Sequence, residues 1–208
     1  MKHKIDLDNW TRKEHFNFFN QFDEPYYGVN VTIDCTIAYQ TAKQTGYSFF
    51  LYYLYQSLAT SQVIDAFKLR IEGNEVFSYD QIDAGSTISR PNGTFGFGDF
   101  AYHPDFETFH AEADKVMRRV ESETDLEKSP AKNVIRYSAL PWIDFTALSH
   151  ARMFGFKDSC PKISFGKMTE SNGKRTMSVS IHVHHALIDG LQLGQFIDHY
   201  QELMNRPL

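Results

Sequence analysis

Three histidines, one aspartate and one glycine lie within ten residues, in the segment 181–190. A neutral imidazole, with an ordinary pKa of about 6.5, accepts a proton at pH 7. A histidine held beside a hydroxyl or thiol group can therefore act as a general base, an effect worth roughly 10²–10⁴ in rate. Asp189 follows His185 by four residues, and an aspartate in a turn accepts backbone N–H groups or pairs with an arginine. The segment predicts a proton-transfer site with its own anchoring carboxylate.

The elements that must position this segment are a strand and a helix. Residues 177–183 alternate between apolar and polar side chains, which is typical of a half-buried strand. After Gly190, which suits a sharp turn, apolar residues recur at helical spacing as far as residue 204. The histidines thus lie where a strand ends and a turn leads into a helix. The apolar strand face holds Met177, Val179, Ile181 and Val183, and the polar face holds Ser178, Ser180, His182 and His184.

A metal site is the first alternative interpretation of the histidines. His182 and His184 lie two residues apart on one strand, so their side chains share a face, and such a pair can bind zinc. The sequence nearby shows no acidic or cysteine ligand set. We therefore expect no metal at this position, and we expect His184 to have a structural role.

Composition restricts the class of protein. The chain has 208 residues, of which 42% are hydrophobic and 23% charged, as expected for one globular domain over residues 1–208. The net charge of −5 argues against a nucleic-acid partner. No apolar run approaches the roughly 18 residues of a membrane span, and the first residues lack the apolar region of a secretory signal. With Cys35 and Cys160 at no metal or redox spacing, we expect free thiols in a cytoplasmic protein.

The periodicities along the chain predict one α/β (α+β) two-layer sandwich, a mixed β-sheet covered by helices. Asp8 and Asn9 are predicted to cap the first helix. Predicted helices cover residues 10–22, 36–45, 48–62, 105–124 and 191–204, and predicted strands cover 27–35, 69–71, 76–79, 93–97, 134–139, 162–169 and 174–183, the last two joined by a turn at 171–173.

The pattern His-His-x-x-x-Asp-Gly occurs here as His184, His185, Asp189 and Gly190. It resembles the active-site signature of the chloramphenicol acetyltransferases and of dihydrolipoamide acyltransferase cores. Three further segments are similar to motifs of the first family, in the same order: residues 10–16 to Trp-x-Arg-[Lys/Arg]-Glu-His-Phe, residues 138–142 to Ser-Ala-x-Pro-Trp, and residues 161–167 to its Thr-Met-Gly-Lys-type segment.

The resemblance covers essentially the whole chain and identifies it as a member of the chloramphenicol acetyltransferase family, with the CoA-dependent acyltransferase fold. It implies that His185 is the general base and that Arg12 and Asp189 form an ion pair. It also implies that Ser138 stabilises the oxyanion of the tetrahedral intermediate, and that Ser164, where many members have threonine, holds a water molecule. A serine nucleophile is the alternative for Ser138, but no Gly-x-Ser-x-Gly elbow surrounds it.

The resemblance also implies the binding residues. Trp142 and Lys167 match coenzyme A contacts, and Phe18, Phe19 and Phe95 match the aromatic lining of the acceptor pocket. Acetyl-CoA is then a co-substrate, with no cofactor bound permanently. The three phenylalanines could instead belong to the core, and Lys167 could simply be solvated.

Several residues depart from the family pattern. His182 stands where better-known members have glutamine. Asp23 and Pro25 replace an apolar and a small residue of the acceptor pocket, and a carboxylate there weakens binding of an uncharged aromatic compound unless it is solvated or paired. Gly46 and Ser48 replace lysine and tyrosine.

We therefore expect an O-acetyltransferase that moves an acetyl group from acetyl-CoA to a hydroxyl of chloramphenicol, in a ternary complex. Alternatives are another hydroxylated acceptor and a non-catalytic relative that binds coenzyme A. A dehydrogenase-complex core is less supported, because this sequence shows no lipoyl domain or swinging linker. The resemblance implies a homotrimer with active sites at subunit interfaces. The aromatic content of 15% fits interfaces, although a monomer with a large aromatic core is the alternative.

Overall fold

The computed structural model describes residues 1–127, 129–153, 155 and 157–207. The helices are α1 (Lys13–Phe19), α2 (Thr36–Thr45), α3 (Phe49–Val63), α4 (Phe106–Ser122) and α5 (Gly190–Met204), with a short 3-10 helix at Asp65–Lys68. The strands are β1 (Lys2–Lys4), β2 (Tyr26–Asp34), β3 (Leu69–Glu72), β4 (Glu75–Tyr79), β5 (Asp83–Ser89), β6 (Phe95–Phe100), β7 (Val134–Ala139), β8 (Lys162–Ser171) and β9 (Lys174–His184).

Within the described residues, six strands form a mixed sheet in the order β2-β9-β8-β7-β5-β6. The pairs β5–β7 and β7–β8 are parallel, and the other pairs are antiparallel. A smaller sheet has the order β1-β4-β3. The predicted fold class, a mixed sheet covered by helices, is confirmed.

One face of β9 belongs to the main hydrophobic core. Val179, Ile181 and Val183 are fully buried there, as their alternation with polar residues predicts. Helix α3 is apolar on all sides and begins with Ser48, whose hydroxyl accepts the Leu51 N–H. Such a helix is buried all round, and α3 packs against α5 beside the sheet.

The N-terminal region differs from the prediction. Helix α1 begins at Lys13, and its N-cap is Arg12, which makes no side-chain capping bond. Asp8 and Asn9 do not cap it, because the Asp6 carboxylate accepts the Asp8 N–H at 3.0 Å and the Asn9 side-chain amide at 2.7 Å. The carboxylate thus folds these residues into a separate turn, and the predicted capping residues were wrong.

The sequence prediction missed two strands. Strand β5 lies between β6 and β7, yet its residues, Asp83–Ser89, are mostly small or polar. Such residues have low strand propensity, and packing decides their conformation. The other is β1, a charged edge strand in which Lys2 and Lys4 pair with Glu72 and Glu75. Charged side chains on an edge strand discourage pairing with other chains.

The polar face of β9 is also buried, although its alternation predicts a half-buried strand. Ser180 is 0% exposed and His184 5%. Residues 143–152, the covering segment, lie over this face, where the Ser178 hydroxyl donates to Asp144 at 3.3 Å. The covering segment therefore closes a surface that the sequence pattern assigns to solvent.

Among the helices that the structure describes, none has both the length and the hydropathy that crossing a lipid bilayer requires.

Candidate active site

His185 lies in the turn between β9 and α5, as the sequence predicts. Its backbone N–H donates to the Pro25 carbonyl at 2.9 Å, and the N–H groups of Leu187 and Ile188 donate to the His184 carbonyl at 2.9 and 3.1 Å. Leu187 and Ile188 are also buried, so the turn is anchored in the core. The backbone of His185 is therefore held by hydrogen bonds on both sides.

Two aromatic rings hold the imidazole of His185. The Phe19 ring stacks on it, with centroids 3.8 Å apart and planes at 10°, and the Tyr27 ring lies 4.4 Å away. His185 Nδ1 and the Tyr27 hydroxyl are buried and have no hydrogen-bond partner among the described residues. Ring packing, rather than a hydrogen bond to Nδ1, thus orients this imidazole within one chain.

Arg12 and Asp189 form a partly buried ion pair, with Arg12 Nη1 2.6 Å from Asp189 Oδ2. The contact is single, whereas guanidinium and carboxylate groups often pair through two parallel bonds. Arg12 Nε and Nη2 are buried and have no partner among the described residues. The guanidinium therefore meets the carboxylate with one nitrogen only.

Asp189 is also the N-cap of α5. Its Oδ1 accepts the Leu191 N–H at 3.1 Å, and its own N–H donates to the Gln192 side chain at 3.1 Å, which completes a capping box. Burial by itself raises the pKa of Asp189, but the hydrogen bond and charge of Arg12, with the backbone donors, lower it below its ordinary value. Asp189 is therefore ionised at neutral pH and ties α1 to the start of α5.

Ser138 and Ser164 are neighbours across the sheet. Ser138 on β7 is in register with Ser164 on β8, and Ser164 is in register with Ser180 on β9. Aligned residues on adjacent strands face the same side of a sheet. Ser164 Oγ is buried without a hydrogen-bond partner among the described residues, and Ser138 is half-buried. The two predicted polar contributors thus lie together on the polar face of the sheet.

Within one chain, His185 does not reach these serines. Ser138 is aligned with Ser180 two strands away, and Ser180 precedes His185 by five residues. At about 4.8 Å between strands and 3.3 Å per residue, the separation is on the order of 15–20 Å. A general base must lie within about 3.2 Å of the proton that it removes, or one water molecule away. One chain therefore carries two separate halves of the predicted site.

The predicted binding residues divide between the same two halves. Phe18 packs edge-on against Phe19 at 5.0 Å, beside His185, and is 59% exposed. Phe95 lies on β6, the opposite edge of the sheet from β2, and is 45% exposed. Trp142, in the turn after β7, is 72% exposed. Lys167 is exposed close to it, since its N–H donates to the carbonyl of Ile143 at 2.8 Å.

Sequence reasoning missed a cluster of charged and aromatic residues near His184. The Tyr26 ring lies between the Arg152 guanidinium and the Lys162 ammonium, each 4.0 Å from its centroid, and packs edge-on against His184. The Tyr26 hydroxyl donates to the Cys160 carbonyl at 2.8 Å. Arg152 belongs to the covering segment, which has no regular periodicity, so no sequence signal placed it here.

The histidines of this cluster resist protonation. Burial, and then the charge of Arg152, lowers the pKa of His184 to about 4. Burial lowers the pKa of His150 to about 4, and the pKa of His182, which meets the His150 ring edge-on at 4.8 Å, is also lowered. These imidazoles are neutral at pH 7, which fits a structural role for His184. In the described part of the chain, no three His, Cys, Asp or Glu side chains are grouped as a metal site would require.

Comparison with known proteins identifies relatives of this chain. The family model described as chloramphenicol acetyltransferase matches residues 1–201. Chloramphenicol acetyltransferase 3 of Escherichia coli is 28% identical over 209 residues, which cover 99% of this chain and 98% of that protein.

Solved structures agree with the sequence comparison. A chloramphenicol acetyltransferase superposes with a TM-score of 0.91 at 34% identity, covering 99% of this chain and 100% of that one. A dihydrolipoamide acetyltransferase of Azotobacter vinelandii superposes with a TM-score of 0.67 at 15% identity, over 92% of this chain and 85% of that one. The second likeness concerns the fold alone.

Proposed function

The chain belongs to the chloramphenicol acetyltransferase family, and from that premise we propose that it transfers an acetyl group from acetyl-CoA to a hydroxyl group of chloramphenicol. The observation that carries the proposal is the match over almost the whole chain together with the position of His185 in a rigid turn beside aromatic rings. Acetyl-CoA is the co-substrate, and the reaction needs no permanently bound cofactor.

In the proposed mechanism, His185 removes the proton of the acceptor hydroxyl while the hydroxyl oxygen attacks the thioester carbonyl. Ser138 donates a hydrogen bond to the negative oxygen of the tetrahedral intermediate, a contribution worth about 10²–10³ in rate. The intermediate then collapses, the carbon–sulfur bond breaks, and His185 returns its proton to the leaving thiolate. Ser164 holds a water molecule near the oxyanion, and the Arg12–Asp189 pair takes no part in proton transfer.

The separation between His185 and Ser138 supports a shared site. Because the two halves lie on the order of 15–20 Å apart in one chain, a second copy must bring its Ser138 to the first copy's His185. We propose a homotrimer in which each interface joins the two halves. Exposed aromatic side chains flank both of them, Phe18 and Phe22 beside His185, and Trp142 beside Ser138, and such residues favour the core of an interface.

Substrate binding and location follow from the same proposal. Trp142, just after β7, and Lys167, in the middle of β8, are both exposed and bind coenzyme A. Phe18, Phe19 and Phe95 contact the acceptor across the interface. The cytoplasm is the proposed location, because acetyl-CoA is the donor and the buried thiols of Cys35 and Cys160 are free.

The direct test of the activity is acetylation by the purified protein. With acetyl-CoA and chloramphenicol, we expect release of free thiol together with an acetylated product of the drug, measured by mass spectrometry. Expression in a sensitive host should confer resistance. Absence of any acetylated drug at saturating concentration would contradict chloramphenicol as the acceptor.

The shared site is tested by mass and by complementation. Light scattering should give about three times the chain mass of 24.1 kDa. His185→Ala and Ser138→Ala subunits, denatured and refolded together, should recover activity, because some interfaces then join an intact base to an intact serine. A monomeric mass, or a folded mixture no more active than its parents, would contradict sharing.

A further inference from the structure

One backbone N–H group in the turn after β9 has a side chain as its acceptor. The other N–H groups of the segment 185–188 donate to main-chain carbonyls at 2.9, 2.9 and 3.1 Å. Ala186 is 0% exposed, so its N–H has no access to solvent. Its acceptor among the described residues is Nδ1 of His184, 3.3 Å away. A buried N–H group without an acceptor costs free energy, so the turn depends on this imidazole.

The hydrogen bond from Ala186 fixes where His184 carries its proton. The Ala186 N–H can only donate, so Nδ1 of His184 accepts and holds no proton. In the neutral imidazole, the proton is then on Nε2. Protonation to the imidazolium would place a proton on Nδ1 and break the bond. The turn is therefore complete only while His184 is neutral.

The surroundings of His184 favour the neutral form. The side chain is 5% exposed and packs edge-on against Tyr26, with ring centroids 5.5 Å apart. The Arg152 guanidinium and the Lys162 ammonium each lie 4.0 Å from the centroid of the same Tyr26 ring. Burial, and then the charge of Arg152, lowers the pKa of His184 to about 4, against the opposing effect of Asp158. At pH 7, Nδ1 therefore remains an acceptor.

The bonded N–H group belongs to the same peptide unit as the carbonyl of His185. If this peptide unit rotates, the Cα–Cβ bond of His185 changes direction and the imidazole moves with it. Neighbouring rings hold that imidazole by packing, and its own Nδ1 has no partner among the described residues. A catalytic group displaced by about 1 Å can lose on the order of 10² in rate. The orientation of the peptide unit thus bears directly on proton transfer.

We propose that His184 is a positioning residue of the acetyl transfer: its Nδ1 fixes the peptide unit between His185 and Ala186, and so directs the His185 imidazole at the acceptor hydroxyl. The inference rests on the proposed function, in which His185 is the general base. His184 acts through the backbone and contacts none of the reacting atoms. The charged and aromatic cluster around Tyr26 then has a task as well, because it shields His184 from protonation.

The sharpest test compares two amides at position 184. The side-chain oxygen of asparagine is bonded to Cγ, as is Nδ1 of histidine, so His184→Asn keeps an acceptor close to the Ala186 N–H. His184→Gln carries the same amide one carbon farther along the side chain. Free-thiol release with chloramphenicol and acetyl-CoA gives kcat and KM for both variants.

We expect kcat within about fivefold of wild type for His184→Asn and about 10² lower for His184→Gln, with the KM of both substrates nearly unchanged. The expected split arises because the hydrogen bond positions the base and does not bind the substrates. A kcat for His184→Asn no higher than that for His184→Gln would overturn the proposal.

His110 provides a matched control for loss of stability. Its Nε2 accepts the Ser48 N–H at 3.2 Å, and it lies on α4, which packs against β6 at the opposite edge of the sheet from β2. His110→Leu and His184→Leu each leave one backbone N–H without its acceptor, so both should lower the melting temperature by a few degrees.

Only His184→Leu should also lower kcat, by about 10². Equal kcat values for the two folded leucine variants would overturn the proposal. If His184→Leu does not fold, the comparison of asparagine with glutamine decides.

Two further measurements do not depend on catalysis. NMR of nitrogen-labelled histidines should show His184 as the tautomer with its proton on Nε2, and a proton on Nδ1 would overturn the proposal. Deuterium exchange of the segment 184–188 should be faster in His184→Gln than in wild type and His184→Asn. Equal exchange in all three proteins would also overturn it.

These outcomes separate the inference from the proposed function. If wild type releases no thiol with any acceptor, the proposed function is contradicted, and the tautomer and the exchange rates still decide whether His184 holds the turn. If wild type acetylates chloramphenicol and the two amide variants have equal kcat, the inference is wrong and the proposed function stands.

Discussion

The turn that carries His185 and the strand end that carries Ser138 are held in different ways. The Phe19 ring, the Pro25 carbonyl and the capping box of α5 hold the first within one chain. The second opens onto exposed side chains, with Trp142 72% exposed. In the proposed trimer, the first half is held within a single subunit, whereas the second half needs a neighbouring subunit to exclude water. We therefore expect changes near His185 to alter both stability and rate, and changes at Ser138 to alter rate alone.

The largest expected effect is that of His185→Ala. It removes the proposed base while leaving the turn's backbone hydrogen bonds in place, so kcat should fall by roughly 10⁴, the upper end for general base catalysis. The melting temperature should decrease only modestly, through loss of the stacking on Phe19. Free-thiol release and thermal unfolding are to be measured on the same preparation. If the variant turned over as fast as wild type, His185 would not be the general base.

Ser138→Ala should lower kcat by about 10²–10³, as expected for loss of one oxyanion donor. Because the Ser138 side chain makes no hydrogen bond to a described residue and is half-buried, the free energy of unfolding should stay within about 0.5 kcal/mol of wild type. Ser138→Thr, which keeps the hydroxyl, is the matched control. If Ser138→Ala greatly lowered stability but hardly changed kcat, the expected contrast between the Ser138 strand end and the His185 turn would be wrong.

Gly28→Ala tests the packing of β2 beside His182 on β9, the strand that leads into the His185 turn. A Cβ at Gly28 would lie 2.4 Å from His182 Nε2, so the His182 ring must move. Because Gly28 is exposed and the His182 ring is half-buried, the expected destabilisation is about 1 kcal/mol, the low end for overpacking, measured by urea unfolding. In a His182→Ser background the same change should destabilise much less. Equal effects in both backgrounds would show that the His182 ring is not the obstacle.

The smallest expected effect is the coupling between Arg12 and Asp189. In a double-mutant cycle of Arg12→Ala and Asp189→Ala, the two losses of stability should differ from additivity by more than about 0.5 kcal/mol. The same ion pair predicts that the stability of the protein depends on pH in the acid range. Since the pKa of Asp189 is lowered in the folded state, its contribution is present above the unfolded pKa of about 3.9 and is lost as the pH falls through the folded value.

Unfolding titrations below pH 4 measure this dependence. Wild type should lose more stability there than Asp189→Asn, which cannot ionise. Two results together would mean that the ion pair contributes nothing to folding. These are additive losses of stability for Arg12→Ala and Asp189→Ala, and the same dependence of stability on pH for wild type and Asp189→Asn.

Patterns in the local sequence determined much of the secondary structure of this protein. The strand before His185, the turn at residues 171–173 and helix α5 follow from periods of two and 3.6 residues and from turn chemistry, which depend only on neighbouring residues. The turn illustrates this, since Asn172 and Gly173 have φ of 51° and 77°, which asparagine and glycine tolerate best. Asp189 likewise caps α5 with its own carboxylate, and Gln192, three residues later, completes the capping box.

Only the tertiary structure decided the rest. The burial of Ser180 and His184 requires the covering segment, and the place of β5 in the sheet requires β6 and β7 on either side. The separation of His185 from Ser138 follows from the strand order and from the register across three strands. These facts depend on contacts between residues far apart in the chain, and hydrophobic periodicity reports only which face of an element is apolar, not what will cover the other face.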